Sequence, residues 1–213
     1  RSKGNKVEAL KGVTLTLPDN GIVILLGESG SGKSTLLNAL GGLDSYEGSI
    51  DYGTERAHGD SINKFDEYRR LNIGYIFQDF YLNDDLSVVD NIRQGLQIVG
   101  ITEEAEVKKR TNQALFAVSM SLFKKRLCSQ LSLGQKQRIA IARSLAINPK
   151  IILADEPAGN LDSKNSQQIM RILKKISSNM LVVIVSHSES LAREYADYIY
   201  RIADGSIIKE EKL

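Results

Sequence analysis

The 213-residue chain carries 28 basic and 26 acidic side chains, and a net charge of +2 supplies no global field that would gather nucleic acid, so none is expected as a partner. One cysteine and two histidines leave no internal disulfide and no zinc cluster, which points to a reduced, cytosolic setting. The longest apolar runs, "IVILL" and "LVVIV", fall far below the roughly twenty residues a bilayer span requires, so any membrane connection has to come through a partner or a missing segment.

In chain order, "RSKGNK" opens without a methionine, from which a missing upstream piece is expected. "VTLTL" at 13–17 alternates with period two and predicts a strand. Ile22 to Leu26 predicts a buried strand, followed by a helix over Lys33 to Leu40. Ile73 to Phe77 is the next apolar run. From Leu86 to about Asn148 no strand is predicted: "SVVDNIRQGLQIVG" and "TEEAEVKKRTNQALFAVS" read as helices, the second with Thr102 as N-cap and acids in its first turn. "QLSLGQKQR" leads into the helical run "IAIARSLAINP", which Pro149 ends. Ile151 to Ala154 and Leu181 to Val185 predict further buried strands around a Ser163 to Ser177 helix, whose Ile169, Ile172, Leu173 and Ile176 recur on one face. "IYRIADGSIIKE" at 199–210 predicts a hairpin turning at Asp204 and Gly205.

Short apolar strands alternating with helices argue for a single α/β domain with a mainly parallel sheet. Residues 1–85 and 149–213 are expected to form the core with an antiparallel β addition, and about 86–148 an inserted α-helical subdomain.

The chemistry starts at "GESGSGKS", residues 27–34, which matches G-x-x-x-x-G-K-[ST] and lies between an apolar strand and a helix. The match predicts a P-loop NTPase core. Gly27, Gly30 and Gly32 let the backbone bend so that amides of the loop, with Glu28, Ser29 and Ser31, point inward as a nest for phosphate oxygens. Lys33 neutralises β and γ oxygens, Ser34 offers a hydroxyl to Mg²⁺, and Thr35 is placed for an α-phosphate contact. ATP or GTP with Mg²⁺ is the implied ligand.

"IILADEP" sets Asp155 and Glu156 at the end of a strand, where open parallel sheets bind ligands. Asp155 suits support of Mg²⁺, and Glu156 suits polarising the water that attacks the γ-phosphate. His187 follows "LVVIVS" at the end of another strand of the same expected sheet, beside the γ-phosphate. Gln78 follows "YIF" and offers an amide oxygen to Mg²⁺. A serine and a glycine open the "LSLGQ" helix as well, and this second anion-like site has no evident purpose within one copy.

Together these residues resemble the nucleotide-binding domain of ABC transporters over essentially the whole chain: phosphate loop 27–35, Gln78, "LSLGQ" at 131–135, "ILADEP" at 152–157, "GNLD" at 159–162 and His187, in the family's order. The resemblance implies a head-to-tail pair of copies that sandwiches two ATP molecules. Ser132, Gly134 and Gln135 then face the nucleotide of the other copy, and Asp162 lies across the interface. It also implies an integral membrane permease as partner, fused or separate, and a place at the cytoplasmic face of the membrane. Gln78, Phe80, Tyr81 and Leu82 either anchor a short helix of that partner or pack lobe against core.

"QDFYLNDDLSVVDNI" and "DEPAGNLD" resemble the branch of macrolide-exporter, lipoprotein-releasing and cell-division ATPases. That branch shows threonine at the position of Ala158 and glycine at that of Leu133, and it stacks adenine on an aromatic residue whose position here falls near Arg1 or upstream. Tyr46 and Tyr52 are expected to pack rather than to stack on a base. The alternatives to a transport motor are an ATP-binding scaffold with slow turnover in a membrane complex and, ranked below it, a soluble ABC ATPase.

Overall fold

The computed structural model describes residues 9–53, 55–59 and 65–213; the expected adenine-stacking position near Arg1 lies outside them. The main sheet has six strands in the order β4-β5-β6-β1-β7-β8. They are β1 (Gly21–Leu26), β4 (Ile73–Ile76), β5 (Ile151–Asp155), β6 (Leu181–Ser186), β7 (Tyr198–Ala203) and β8 (Ser206–Lys212). Every pairing is parallel except β7 with β8. A small antiparallel pair, β2 (Ser49–Asp51) and β3 (Arg56–His58), stands apart.

Burial on both faces explains why the strands read as unbroken apolar runs. In β1, Ile22, Ile24 and Leu26 enter one hydrophobic cluster and Val23 and Leu25 the other. The first cluster lies against α6 (Ser163–Ile176) and α7 (Glu189–Tyr195) and runs without a break into α3 (Val88–Ile98), α4 (Glu104–Ala117) and α5 (Leu133–Ala146). The second is covered by α1 (Lys33–Leu40), with Phe65 of the turn that leads into α2 (Asp66–Asn72).

Between β4 and β5 the regular elements of the described chain are all helices, joined by loops, with an isolated bridge between Ser87 and Leu127. The seam between these helices and the sheet passes through α5: Ser144 Oγ donates to the Tyr75 carbonyl at 2.6 Å. A Cβ on Gly74 would sit 3.1 Å from the Ser144 carbonyl, so β4 and α5 meet backbone to backbone.

Three expectations change. "VTLTL" is not a strand: Val13, Leu15 and Leu17 do pack against the second cluster, but strand identity needs a ladder. The Tyr200 hydroxyl of β7 donates to the Thr16 carbonyl, and just before the segment Lys11 N–H donates to the Gly205 carbonyl in the β7–β8 turn. The N-cap of α4 is Glu103 rather than Thr102, because its longer carboxylate accepts from both Ala105 and Glu106 N–H. Of the predicted hairpin, only β8 is an antiparallel addition; β7 pairs parallel with β1. The turn itself falls on Asp204 and Gly205 with φ of 46° and 78°.

Candidate functional site

Register assembles the site. Leu26 pairs with Ser186, Asp155 with Val185, and Ile76 with Ala154, so β1, β4, β5 and β6 all end along one edge. Gly27, Gln78, Glu156 and His187 therefore leave the sheet there, at the carboxyl ends of parallel strands where α/β folds hold ligands.

The phosphate loop turns from β1 into α1. Gly30 takes φ 80° and Gly32 φ 99°, left-handed conformations that glycine adopts without strain. Gly27 is required for a different reason: a Cβ there would lie 2.2 Å from the Ile202 carbonyl on β7. Lys33 is buried, its ammonium folded onto the Glu28 carbonyl at 2.5 Å and 3.5 Å from Ser31 Oγ. Gly32 caps α1 without any side-chain bond, and the first turn holds no acid. The helix thus offers unfinished amides and a cation at one spot, the chemistry of an anion receptor.

Ser34 Oγ donates to Asp155 Oδ1 at 3.1 Å. Burial pushes the Asp155 carboxyl above its usual range; the Ser34 bond and Lys33 act against that, and the neighbouring Glu156 charge adds to it. A hydroxyl beside a carboxylate is a hard oxygen set that fits Mg²⁺. Glu156 follows Asp155 in a left-handed conformation, φ 46°, which turns its side chain away from Asp155 toward β6. There Glu156 Oε1 meets His187 Nδ1 at 2.8 Å. Gly159 lies so close that a Cβ would stand 3.3 Å from Glu156 Oε2, so the glycine keeps room beside that oxygen. His187 is two-thirds exposed and Glu156 mostly buried, an arrangement in which the histidine is the outer member.

Gln78 is exposed just past β4. Its loop is clamped by Arg143 of α5, whose guanidinium donates to the Phe80 carbonyl at 2.9 Å and also to the Tyr81 carbonyl. Tyr81 is 66% exposed, whereas Phe80 and Leu82 are half-buried and Leu82 packs on the first cluster, so Tyr81 is the projecting member of the expected patch.

The "LSLGQ" residues form a second group. Ser132 caps α5 by accepting from Gln135 N–H at 3.3 Å, while Gln135 Oε1 accepts from Ser132 N–H at 3.0 Å, a complete capping box. Leu133 is 55% exposed and Gly134 is buried. A Cβ on Gly134 would come within 2.7 Å of Asn165 Oδ1. Asn165 in turn is held by Asp162, the N-cap of α6, through its backbone and side-chain nitrogens at 2.9 and 2.6 Å. Those bonds to Asn165, backbone first, hold the Asp162 carboxyl below its usual range. Two helix N-termini therefore abut, and among the described residues no hydrogen bond joins this group to the phosphate-loop group.

Sequence reasoning missed Arg143, Asn165 and Tyr75, whose hydroxyl donates to Asn38 Oδ1 on α1 at 2.5 Å. Each works through a partner distant in sequence, and no local spacing announces it.

Comparison with known proteins agrees with this geometry. The model of the ABC transporter family matches residues 10–159. An uncharacterised ABC transporter ATP-binding protein of Methanocaldococcus jannaschii, MJ0796, is 39% identical over 214 residues, covering 97% of this chain and 90% of its own. The lipoprotein-releasing system ATP-binding protein LolD of Francisella tularensis is 38% identical over 204 residues, covering 94% and 88%. A solved dimeric, post-hydrolysis structure of the cassette MJ0796 bound to ADP and phosphate superposes with a TM-score of 0.86 at 37% identity, covering 100% of this chain and 94% of that one.

Proposed function

Since the chain belongs to the ABC transporter family and is an ATP-binding, ATP-hydrolysing cassette, we propose that it works as a pair of copies closed around two Mg-ATP, driving an integral membrane permease from the cytoplasmic face. Residues 1–85 and 149–213 serve as the catalytic core and about 86–148 as the helical lobe that carries the signature segment. The observation that carries this reading is the pair of unlike helix starts. The α1 terminus leaves its amides uncapped beside buried Lys33, which suits a receptor for phosphate, whereas Ser132 and Gln135 close the α5 terminus with a capping box.

In this reading the amides of Gly27 to Ser34 grip the phosphate chain while Lys33 leaves the Glu28 carbonyl for β and γ oxygens and Thr35 approaches the α-phosphate. Ser34 and Gln78 would hold Mg²⁺ with Asp155 behind them, and a bound ion would supply neutralisation of phosphate charge there. Glu156 orients a water and accepts its proton as the water oxygen bonds to the γ-phosphorus and the bond to ADP breaks. His187, bonded to Glu156 Oε1, steadies that carboxylate and faces the γ-phosphate. Ser132, Gly134 and Gln135 of the second copy close the other side, with Asp162 along the seam. Release of products reopens the pair, and the loop at Gln78 and Tyr81 passes the motion to the permease. The relatives named for lipoprotein release favour an export or extrusion system of that type.

Steady-state phosphate release from Mg-ATP tests the enzyme: Glu156→Gln is expected to lower turnover by about a thousandfold with ATP affinity retained. Wild-type turnover that stays at background with and without the permease would sink the motor and leave a scaffold.

A further inference from the structure

The segment from Tyr75 to Tyr81 is held from two sides. On one side α5 grips its backbone, Ser144 at the Tyr75 carbonyl and Arg143 at the Phe80 and Tyr81 carbonyls. On the other, the Tyr75 side chain reaches α1. Its hydroxyl donates to Asn38 Oδ1 at 2.5 Å, and Asn38 Nδ2 donates to Asp44 Oδ2 at 3.0 Å, so the orientation of the amide is fixed from both ends. The ring lies under the end of the same helix, where a Cβ on Gly41 would stand 3.1 Å from Tyr75 Cε2. Asn38 follows Ser34 by one helical turn and shares its face, and Ser34 carries the bond to Asp155.

From Tyr75 the contact continues through rings. Tyr75 stacks on Phe77 at 4.2 Å between centroids, and Phe77 meets Tyr81 edge to face at 5.0 Å. Tyr81 ends this ladder exposed and in a left-handed conformation, φ 45°. Burial, with the Asp155 and Asp44 carboxylates nearby, raises the Tyr75 phenol well above its ordinary pKa, which favours the protonated form that donates to Asn38.

We propose that Tyr75 is a positioning residue: its hydroxyl on Asn38 and its ring on Phe77 tie the phosphate-loop helix to the Gln78 loop, so that nucleotide held at Lys33 and Ser34 sets the pose of exposed Tyr81. The relay rests on the nucleotide reading above, and it adds a route that does not pass through the Gln78 side chain. A shift of α1 moves Asn38, Asn38 carries the phenol, and the stacked rings carry Tyr81, whose backbone Arg143 restrains from the α5 side.

The chain contains no tryptophan, so Tyr81→Trp gives a single emission reporter. In that background Mg-ATP is titrated while emission and the retention of labelled ATP are followed together, and steady-state turnover is measured. Emission is expected to change in step with occupancy. Adding Tyr75→Phe keeps the ring and removes the bond; it is expected to cut the emission amplitude at least about twofold and kcat about five- to tenfold, with KM and ATP retention within about twofold. Asn38→Ala, which removes the other end of the bond, is expected to reproduce that split. Unchanged amplitude and kcat in Tyr75→Phe would overturn the relay, as would a loss of amplitude that only mirrors a loss of ATP retention. Failure of the reporter parent itself to retain ATP would strike instead at the nucleotide reading, and the relay would fall with it.

Discussion

Helices α1 and α5 both begin in stretches of serine and glycine, and their N-termini are finished in opposite ways. At α1, Gly32 provides no side-chain cap and a buried lysine stands at the first helical position. At α5, Ser132 and Gln135 satisfy each other's backbone amides completely. An unfinished terminus keeps its N–H groups for an outside anion, whereas a finished one has to give up bonds worth about 1 kcal/mol before its serine turns to a ligand. On the proposed two-copy reading, the difference implies an order of events: ATP would settle on α1 of one copy first, and α5 of the other copy would engage it second.

Lys33→Ala strikes the receptor side and has the largest expected effect, about a hundredfold weaker ATP binding by titration calorimetry, because it removes the buried ammonium that the proposed reading moves from the Glu28 carbonyl to the phosphates. Affinity within about threefold of wild type would mean that α1 is not the receptor. Ser132→Ala strikes the finished side. It should lower stability by about 1 kcal/mol, a fall of ~2–4 °C in Tm, while ATP affinity of the single copy stays within about twofold. A large loss of single-copy affinity would erase the distinction between the two termini.

Asp197 lies at the opposite end of β1 from the phosphate loop and serves as a structural control. Burial alone would raise its carboxyl, but the Lys174 bridge at 2.8 Å and the Ile22 amide bond hold it below the usual range. A depressed folded pKa stabilises above the unfolded value of about 4 and loses that contribution as pH falls through the folded value. Asp197→Asn should therefore lower Tm by ~1–2 °C at pH 7, with the gap to wild type closing below about pH 4, and leave ATP affinity unchanged. A gap that widens in acid would reverse the sign. Leu133→Gly is expected to do least, less than about twofold in turnover, since the side chain is half in solvent beside a capping box that does not use it. A tenfold loss would place Leu133 in the seam between copies.

Much of this was legible in the sequence because it is local. The buried strands appeared as apolar runs between turn residues, and the phosphate loop carries its chemistry in consecutive residues, 27–35. Ser163 to Ser177 ended as predicted, with Ser177 as the C-cap of α6. Failures came where a second partner decides. Alternation in "VTLTL" fixed which side chains turn inward and could not supply a neighbouring ladder. Thr102 and Glu103 are both acceptors, and only the carboxylate that reaches two amides became the cap. Arg143 grips a carbonyl 62 residues away and Tyr75 an amide 37 residues away, so neither had a local signature. Gly134 looked like a ligand-facing glycine, yet its lack of a side chain also admits Asn165.

The central claim is that a phosphate receptor on one copy and a capped helix on the other make one site. Sedimentation of Glu156→Gln tests it directly, because slow hydrolysis preserves the closed state. The account predicts a monomer without nucleotide, a dimer with saturating Mg-ATP, and loss of that dimer when Ser132→Arg is added; a Glu156→Gln chain that stays monomeric in saturating Mg-ATP would contradict it.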